Sequence, residues 1–119
     1  MPFPSALTTL ECSYCGEESD PALPQRTCPA CGKVLVARYD TAVAARTLTK
    51  DSLPGRATSI WRYRELMPVL DDANIVTLGE GWTPIFSASL LGNTLGFGDL
   101  LLKDEGLNPT GSFKARGLS

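Results

Sequence analysis

Four cysteines lie in two closely spaced pairs near the start of the chain, Cys12-x-x-Cys15 and Cys28-x-x-Cys31. A glycine follows each pair directly, so the backbone can turn tightly there and aim amide groups at the sulfurs. Two such pairs are typical of a tetrahedral zinc site made of four thiolates. Because four protein ligands fill the coordination shell, we expect a structural Zn(2+) ion and not a catalytic one. The alternative is four free thiols without a metal.

A second group of residues with chemical potential lies in the segment 103–117, which reads KDEGLNPTGSFKARG. Lys114 and Arg116 fall in the first turn of a helix expected to begin around Phe113, where the helix macrodipole disfavours cations. A sequence that breaks a local rule suggests a functional site. The positive helix end, and Arg116 if it lies nearby, would favour the neutral amine of Lys114, which is the form that attacks a carbonyl. The alternative is a capped helix with solvated basic side chains.

Short polar residues precede Lys114 in this segment. Their small side chains and open amides suit an anion; they are Asn108, Thr110, Gly111 and Ser112. The chain contains no histidine, the commonest general base and the commonest nitrogen ligand for metals. Any chemistry in these residues must therefore use other groups, and Lys114 is the leading candidate.

Composition and charge exclude several classes of partner. Hydrophobic residues make up 43% and charged residues 20% of the 119 residues, which is a globular balance. A net charge of -2 and a pI of about 5.0 provide no broad basic surface for nucleic acid or anionic lipid. Acidic residues also outnumber basic residues between Glu11 and Asp40, which argues against a nucleic-acid-binding ribbon. A small-molecule partner is favoured.

Neither a secretory leader nor a membrane span is predicted. The first five residues lack a basic region followed by a long apolar run. The longest aliphatic runs, such as Leu100-Leu101-Leu102, are far too short to cross a bilayer. We therefore expect a soluble, cytoplasmic protein without a membrane partner.

Short strands are predicted on either side of the cysteine pairs, at residues 8–11 and 34–39. Residues 41–49 have weak helical character, and Pro54-Gly55 then gives a turn signal, so this stretch is interpreted as a linker. Apolar residues at helical spacing predict a helix of about two turns over residues 60–67, capped by Thr58 or Ser59 and ended by Pro68.

The elements that must position Lys114 follow in the second half of the chain. The sequence predicts a strand at 75–78, an irregular loop at 79–84 and a short helix at 87–91 ended by Gly92. A compact apolar run predicts a buried strand at 100–103. Residues 104–111 are predicted as a loop, after which Thr110 or Ser112 caps the helix that begins around Phe113.

Three segments resemble one enzyme family. Residues 108–117, preceded by Leu102-Lys103-x-Glu105-Gly106, resemble the cofactor-lysine segment of fold-type II pyridoxal-phosphate enzymes, and in particular of the threonine synthase family. Residues 79–84, GEGWTP, are similar to the loop that precedes this segment in the family. Residues 60–68, IWRYRELMP, are similar to a stretch of those members that carry an amino-terminal cysteine knuckle. Together the resemblance covers most of residues 10–119, and three motifs in order are more specific than any one of them.

The resemblance implies a cofactor and a reaction. Lys114 would bind pyridoxal 5'-phosphate covalently and later act as the base that moves substrate protons, with the cofactor as electron sink. Asn108, Thr110 and Ser112 match family positions near the substrate. Weaker candidates for binding are Glu80, Trp82 and Thr83. The implied reaction converts O-phospho-L-homoserine and water into L-threonine and phosphate.

One departure from the family pattern leaves the substrate open. Ala115 stands where threonine synthases usually have an aspartate after the lysine, and related ammonia-lyases tolerate such a residue. The alternatives are therefore a related lyase or β-replacement enzyme acting on serine, threonine or phosphoserine, such as a serine/threonine ammonia-lyase or a cysteate synthase-like enzyme. From a different class, a zinc-ribbon binding module without chemistry is the other option.

The sequence thus predicts an α/β protein in which a small zinc ribbon precedes the start of a fold-type II pyridoxal-phosphate enzyme. The predicted ranges are 8–40 for the zinc ribbon, 41–58 for a linker and 59–119 for the first part of the catalytic domain. In the family, the glycine-rich phosphate loop and the partner of the pyridine nitrogen lie farther along the chain. We therefore expect these residues to be a fragment that is inactive alone. The oligomeric state stays open, a homo-oligomer being one option.

Overall fold

The computed structural model describes residues 3–118, which pack as two compact units. The first unit comprises Met1–Arg56 and Trp61–Ile75, and the second comprises Ala57–Ile60 and Val76–Ser119. None of the described helices is long and apolar enough to cross a membrane. The ranges given above for ribbon, linker and catalytic part stay a prediction.

A three-stranded antiparallel sheet carries the first cysteine pair in the first unit. It consists of β1 (Leu7–Cys12), β2 (Glu18–Ser19) and β3 (Leu35–Tyr39), with β1 in the middle. Leu10 of β1 lies opposite Ser19 on one side and Ala37 on the other. The two strands predicted around the cysteine pairs are confirmed. Strand β2 was not predicted, because two residues are too few to show alternation.

The stretch predicted as a linker contains two short elements. Helix α1 (Thr41–Ala44) follows β3, and the side chain of Asp40 caps it by accepting a hydrogen bond from the Val43 amide at 2.9 Å. A 3-10 turn then spans Leu53–Gly55, at the predicted turn signal.

The helix of about two turns predicted over residues 60–67 is wrong. The structure has 3-10 turns over Ile60–Leu66, and Tyr63 interrupts them with a non-helical backbone (φ -104°, ψ 38°). The buried side is also different, since Tyr63 is exposed whereas Arg64 and Glu65 are buried. The backbone of this segment therefore depends on contacts of buried charged side chains. The spacing of apolar residues gives no sign of such contacts.

A buried ion pair fixes the segment within the first unit. The guanidinium of Arg56 donates to both carboxylate oxygens of Glu65 at 2.7 and 2.8 Å, and the two side chains are only 4% and 2% exposed. The Thr47 hydroxyl donates to the same carboxylate at 2.6 Å. Arg56 also donates to the backbone carbonyls of Thr47 and Arg62. The Ala6 amide, just before β1, donates to the backbone carbonyl of Glu65 at 2.8 Å. Because the two charges are paired with each other, both can be buried.

The second unit contains a two-stranded antiparallel sheet and two short α-helices. Strand β4 (Ile85–Ser87) pairs with β5 (Leu101–Lys103), and α2 (Ser89–Leu95) connects them. Helix α3 spans Ala115–Leu118. The strand predicted at residues 100–103 is confirmed in position. Its predicted burial is wrong within the described residues, because β4 is the one strand that pairs with it and its leucines are exposed.

The strand predicted at residues 75–78 is wrong, since the described chain has no strand there. The Thr77 hydroxyl and the Leu78 amide instead donate to the carboxylate of Glu80, at 3.0 and 2.7 Å. A local side-chain acceptor thus takes an amide that a strand would have used for pairing.

The helix predicted at residues 87–91 is wrong in its bounds, because Gly92 does not end it. Gly92 lies inside α2 and is buried; a Cβ there would lie 3.1 Å from the Cβ of Leu100. The helix ends at Gly96, whose φ of 76° is the left-handed conformation that glycine favours. Gly92 is therefore a packing residue and Gly96 the cap.

The carboxylate of Glu65 makes the stability of the first unit depend on pH. Hydrogen bonds from Arg56 lower the pKa of Glu65 to about 2, against the opposing effect of burial. A carboxyl group whose pKa is lower in the folded state stabilises the fold above its unfolded pKa, and this contribution is lost as the pH falls toward the folded pKa. We therefore expect Glu65 to contribute fully at neutral pH and to lose its contribution between about pH 5 and pH 2.

The measurement is urea unfolding of the wild type and of Glu65→Gln at a series of pH values. At neutral pH we expect the variant to lose about 3 kcal/mol or more, because Arg56 keeps its charge in a buried site. The difference between the two proteins should shrink as the pH falls. Glu11→Gln is the control, since Glu11 pairs with an exposed Arg38 and should matter by about 1 kcal/mol or less. A difference independent of pH would contradict this assignment.

Candidate functional site

The four cysteine sulfurs meet at the end of β1. Their Sγ atoms all lie within 4.8 Å of one another. Three of the distances are 3.4 Å (Cys12 to Cys31), 3.5 Å (Cys15 to Cys31) and 3.7 Å (Cys15 to Cys28). Four thiolates bound at about 2.3 Å to a tetrahedral ion lie about 3.8 Å apart. The cysteines are free of disulfides, so the predicted ligand set is brought together and could hold one metal ion.

The two cysteine pairs share one backbone geometry. The Cys12 amide donates to the carbonyl of Glu17, and the Cys28 amide donates to the carbonyl of Lys33, both at 2.8 Å. In each pair, the glycine that follows donates back to the carbonyl of the first cysteine. These glycines have φ values of 76° and 71°, which a residue with a Cβ rarely adopts. The tight turns predicted from the glycines are therefore confirmed.

Backbone amides, burial and neighbouring thiols give Cys12 and Cys31 different pKa values. Amide donors from Cys15 and Tyr14 lower the pKa of Cys12 to about 6. At Cys31 the amide of Lys33 also acts to lower the pKa, but burial and the neighbouring thiols outweigh it and raise the pKa to about 12. Thiolates this close repel one another unless a cation lies among them. The donor set therefore fits a divalent ion that prefers sulfur.

Lys114 lies just before α3, which begins two residues later than the predicted start around Phe113. Its backbone amide donates to the Ser112 hydroxyl at 3.2 Å, and its ammonium group lies 4.5 Å from the centroid of the Phe113 ring. The side chain is exposed. It lines an open depression together with Phe113, Arg116, Gly117 and Leu118. An amine exposed beside an aromatic ring can be reached by a planar carbonyl compound.

Glu105, nine residues before Lys114, accepts four hydrogen bonds with its carboxylate. Arg116 donates twice, from Nε at 2.6 Å and from Nη2 at 2.8 Å. The Thr83 hydroxyl donates at 2.6 Å and the Asn108 side chain at 3.0 Å. These donors, with Arg116 the strongest, hold the pKa of Glu105 well below its usual range. The charge of Arg116 is therefore balanced by Glu105 and does not act alone near Lys114.

The three residues predicted to contact substrate share the loop before Lys114 but differ in exposure. Asn108 is buried; its Oδ1 accepts from the Gly81 amide at 2.9 Å, and its Nδ2 donates to both the carbonyl and the carboxylate of Glu105. Thr110 is exposed and Ser112 is half-buried. Their role in substrate binding stays a prediction.

The predicted irregular loop at residues 79–84 is confirmed and has a restricted backbone. Gly81 has a φ of 88°, and Trp82 has a φ of 52°, which is uncommon for a residue with a bulky side chain. Between Gly79 and Gly81, Glu80 is fully buried, and its backbone carbonyl accepts from the Ile60 amide at 3.0 Å. A Cβ on Gly81 would lie 2.8 Å from both the nitrogen and the Cγ2 of Ile60. Gly81 therefore allows a close backbone approach as well as an unusual turn.

Sequence comparison relates the chain to known enzymes. Residues 76–119 match the family model described as pyridoxal-phosphate dependent enzyme. The chain is 40% identical over 108 residues to the threonine synthase of Methanocaldococcus jannaschii, and 36% identical over 110 residues to that of Methanosarcina acetivorans. The chain is therefore similar to threonine synthases over most of its length. These two alignments cover 91% and 92% of the chain, and 26% of each relative.

Shorter matches extend the same result. The threonine synthase of Mycobacterium leprae is 47% identical over 74 residues, which cover 62% of the chain and 19% of that protein. The chain therefore spans about a quarter or less of the length of the curated relatives it matches. No solved structure matches it. The resemblance read from the three motifs is confirmed, and so is the fold class that it implied.

The sequence identifies only part of the group that organises the lysine segment. Glu105 belongs to the motif that resembles the family, but the sequence assigns it no role, and Thr83 is a weak candidate for binding. The available signal was an acidic residue eleven positions before Arg116, in a segment where cations at a helix start need a counter-charge. That signal does not say which cation the carboxylate meets, and the fold decides this.

Two glycines in the 79–84 loop offer a matched test of the close approach at Gly81. Both have positive φ, but a Cβ on Gly79 meets nothing within 4 Å. We expect Gly79→Ala to cost about 1–2 kcal/mol for the left-handed backbone alone. We expect Gly81→Ala to cost roughly 1–3 kcal/mol more, because Ile60 must move.

Amide hydrogen exchange of residues 76–118, measured at a series of urea concentrations, gives the loss in free energy of unfolding for each variant. Equal destabilisation by the two substitutions would show that the space around Gly81 is not limiting.

Proposed function

We propose that the natural protein is a threonine synthase that converts O-phospho-L-homoserine and water into L-threonine and phosphate. The observation that carries this proposal is an exposed Lys114 in a segment that matches the pyridoxal-phosphate dependent enzymes and is similar to threonine synthases. The residues of this segment are compatible with the cofactor. The Lys114 amine lies 4.5 Å from the centroid of the Phe113 ring. Arg116, whose charge is paired with Glu105, lines the same depression.

In this proposal Lys114 has two tasks. Its amine holds pyridoxal 5'-phosphate, and it then moves protons at the substrate carbons as the catalytic base. The cofactor supplies an electron sink for carbanion chemistry. The departure of phosphate from the γ carbon and the addition of water at the β carbon complete the proposed reaction.

We propose Thr110 and Ser112 as substrate contacts, because their hydroxyl groups lie near Lys114 in the chain and are not buried. Asn108 is the third proposed contact. Its amide is held by Gly81 and Glu105, so it would have to share one of these hydrogen bonds to touch a substrate. A site with several donors suits a phosphate ester over a neutral amino acid.

We propose that Cys12, Cys15, Cys28 and Cys31 hold one structural Zn(2+) ion. The support is the sulfur cluster, whose spacing approaches that of a tetrahedral thiolate site. We further propose a cytoplasmic enzyme whose partner is this small-molecule substrate, without nucleic-acid or membrane partners, with a homo-oligomer as one assembly.

One observation favours a second candidate. The side chain of Ala115 is buried, at 2% exposure, directly after Lys114. An aspartate there, as threonine synthases usually have, would need a buried partner for its charge. A related ammonia-lyase or β-replacement enzyme acting on serine, threonine or phosphoserine is therefore the runner-up.

Zinc content is tested by elemental analysis of protein purified without added metal. We expect one zinc ion per chain, and we expect its loss in the Cys12→Ser/Cys28→Ser double variant, because two remaining thiolates cannot close a tetrahedral shell. Chelation should unfold the strands β1 to β3. Ser13→Ala is the control, since Ser13 lies inside the first pair and its hydroxyl donates to the Val34 carbonyl. Zinc retained by the double variant would defeat the assignment.

Substrate choice is tested on the natural protein with O-phospho-L-homoserine and, separately, with L-threonine. Phosphate, threonine and 2-oxobutanoate are followed. We expect phosphate release from O-phospho-L-homoserine, and a loss of at least about a hundredfold in Lys114→Ala, the scale on which a general base contributes. Lys50→Ala, in the first unit, is the control. If L-threonine gives 2-oxobutanoate while the phosphate ester is inert, the ammonia-lyase takes the place of the synthase.

A further inference from the structure

The segment that carries Lys114 is attached at both ends to one carboxylate. Asn108, six residues before the lysine, and Arg116, two residues after it, both donate to Glu105. Thr83, which precedes β4, donates to the same group at 2.6 Å. We call these four residues the Glu105 cluster. It closes residues 108–116 into a loop whose base is the Glu105 carboxylate.

The acceptor capacity of this carboxylate is used evenly. Oε1 accepts from Thr83 and from Nη2 of Arg116, and Oε2 accepts from Nε of Arg116 and from Asn108. A bidentate arginine fixes the plane of the carboxylate, which a lysine at position 116 would not do. The geometry of the cluster is therefore determined by four short contacts to one planar group.

The cluster also connects to the strands and to the 79–84 loop. Lys103 at the end of β5 donates to the Thr83 carbonyl at 2.8 Å, and Arg116 donates to the Thr83 hydroxyl at 3.2 Å. Asn108 accepts from the Gly81 amide at 2.9 Å. These contacts give the loop base a fixed position, whereas Lys114 itself is exposed and the helix that follows it, α3, has four residues.

We propose that Glu105 is the positioning residue of Lys114: by holding Asn108 and Arg116 on one carboxylate it fixes the lysine segment on the β4–β5 sheet. Glu105 touches neither substrate nor cofactor in this role. The proposal rests on the proposed function of Lys114. In it, the position of the lysine depends on a carboxylate nine residues earlier in the chain.

The first arm of the test needs no cofactor. Amide hydrogen exchange is measured in the natural protein for residues 108–116, with the strands β1 to β3 as internal reference. Glu105→Gln keeps the size of the side chain but replaces an acceptor oxygen by an amide donor. We expect the exchange rates in residues 108–116 to rise roughly tenfold or more in this variant. The charged hydrogen bonds to Glu105 oppose local opening of this segment, and the variant weakens them. Asp99→Asn removes the same charge from an exposed position of the second unit and should leave exchange unchanged.

The second arm separates positioning from folding. Pyridoxal phosphate attached at Lys114 is counted by borohydride reduction and peptide mass analysis, and turnover is expressed per attached cofactor. A positioning role predicts that turnover per attached cofactor falls roughly tenfold in Glu105→Gln, the cost of misplacing a reacting group. A residue that only supports the fold would lower the amount of attached cofactor and leave this ratio unchanged. If Glu105→Gln does not fold, Arg116→Lys, which keeps the charge but loses the bidentate geometry, is measured in the same two ways.

The outcomes decide the proposal separately from the proposed function. Wild-type exchange in residues 108–116 of both variants, or an unchanged turnover per attached cofactor, overturns the positioning role of Glu105. A wild-type protein that attaches no cofactor at Lys114 overturns the proposed function, and in that case the exchange arm alone decides whether Glu105 holds the segment. Faster exchange together with lower turnover per attached cofactor supports both.

Discussion

Both oxygens of the Glu105 carboxylate are occupied by donors from three different parts of the second unit. Arg116 also donates to the Thr83 hydroxyl, so two of the groups that donate to this carboxylate contact each other as well. The loop before Lys114 depends on the same group, because Asn108 joins it to the Gly81 amide. One charge thus determines how the loop, the 79–84 segment and the start of α3 fit together.

The first unit follows a similar rule with different chemistry. Its sheet ends in four sulfurs that repel one another when ionised, and its 3-10 segment is held by the buried pair of Arg56 and Glu65. The apolar residues buried within the described chain are few and mostly small; they are Ala6, Cys12, Cys28, Ala44, Ile60, Trp61 and Ala115. Paired charges and hydrogen-bonded polar groups therefore specify much of the geometry. Removing these groups from water costs free energy, whereas burying apolar side chains does not.

This arrangement suits a division of tasks between the two units. Closed four-cysteine sites stabilise small folds that bury little apolar surface, and the first unit presents such a ligand set. The second unit presents the exposed amine of Lys114 on a segment whose two ends donate to Glu105. An amine that must meet a bound carbonyl compound gains from a rigid base, because small displacements of a reacting group lower its rate. The similarity to threonine synthases spans both units, since the longest matches cover more than nine-tenths of the chain.

Residue type and short spacing are enough to predict the cysteine pairs with their tight turns, the strands around them and the strand before the lysine loop. The lysine motif is identified from the sequence through its resemblance to a known family. The sequence did not determine that Tyr63 interrupts the predicted helix, that Gly96 and not Gly92 ends α2, or that Thr77 and Leu78 turn toward Glu80. The first two depend on which groups meet in the fold, whereas the third is a local choice of acceptor that the pattern of apolar residues does not reveal. The partner of Arg116 is the clearest case, because Glu105 reaches it only after the chain has brought residues eleven positions apart onto one planar contact.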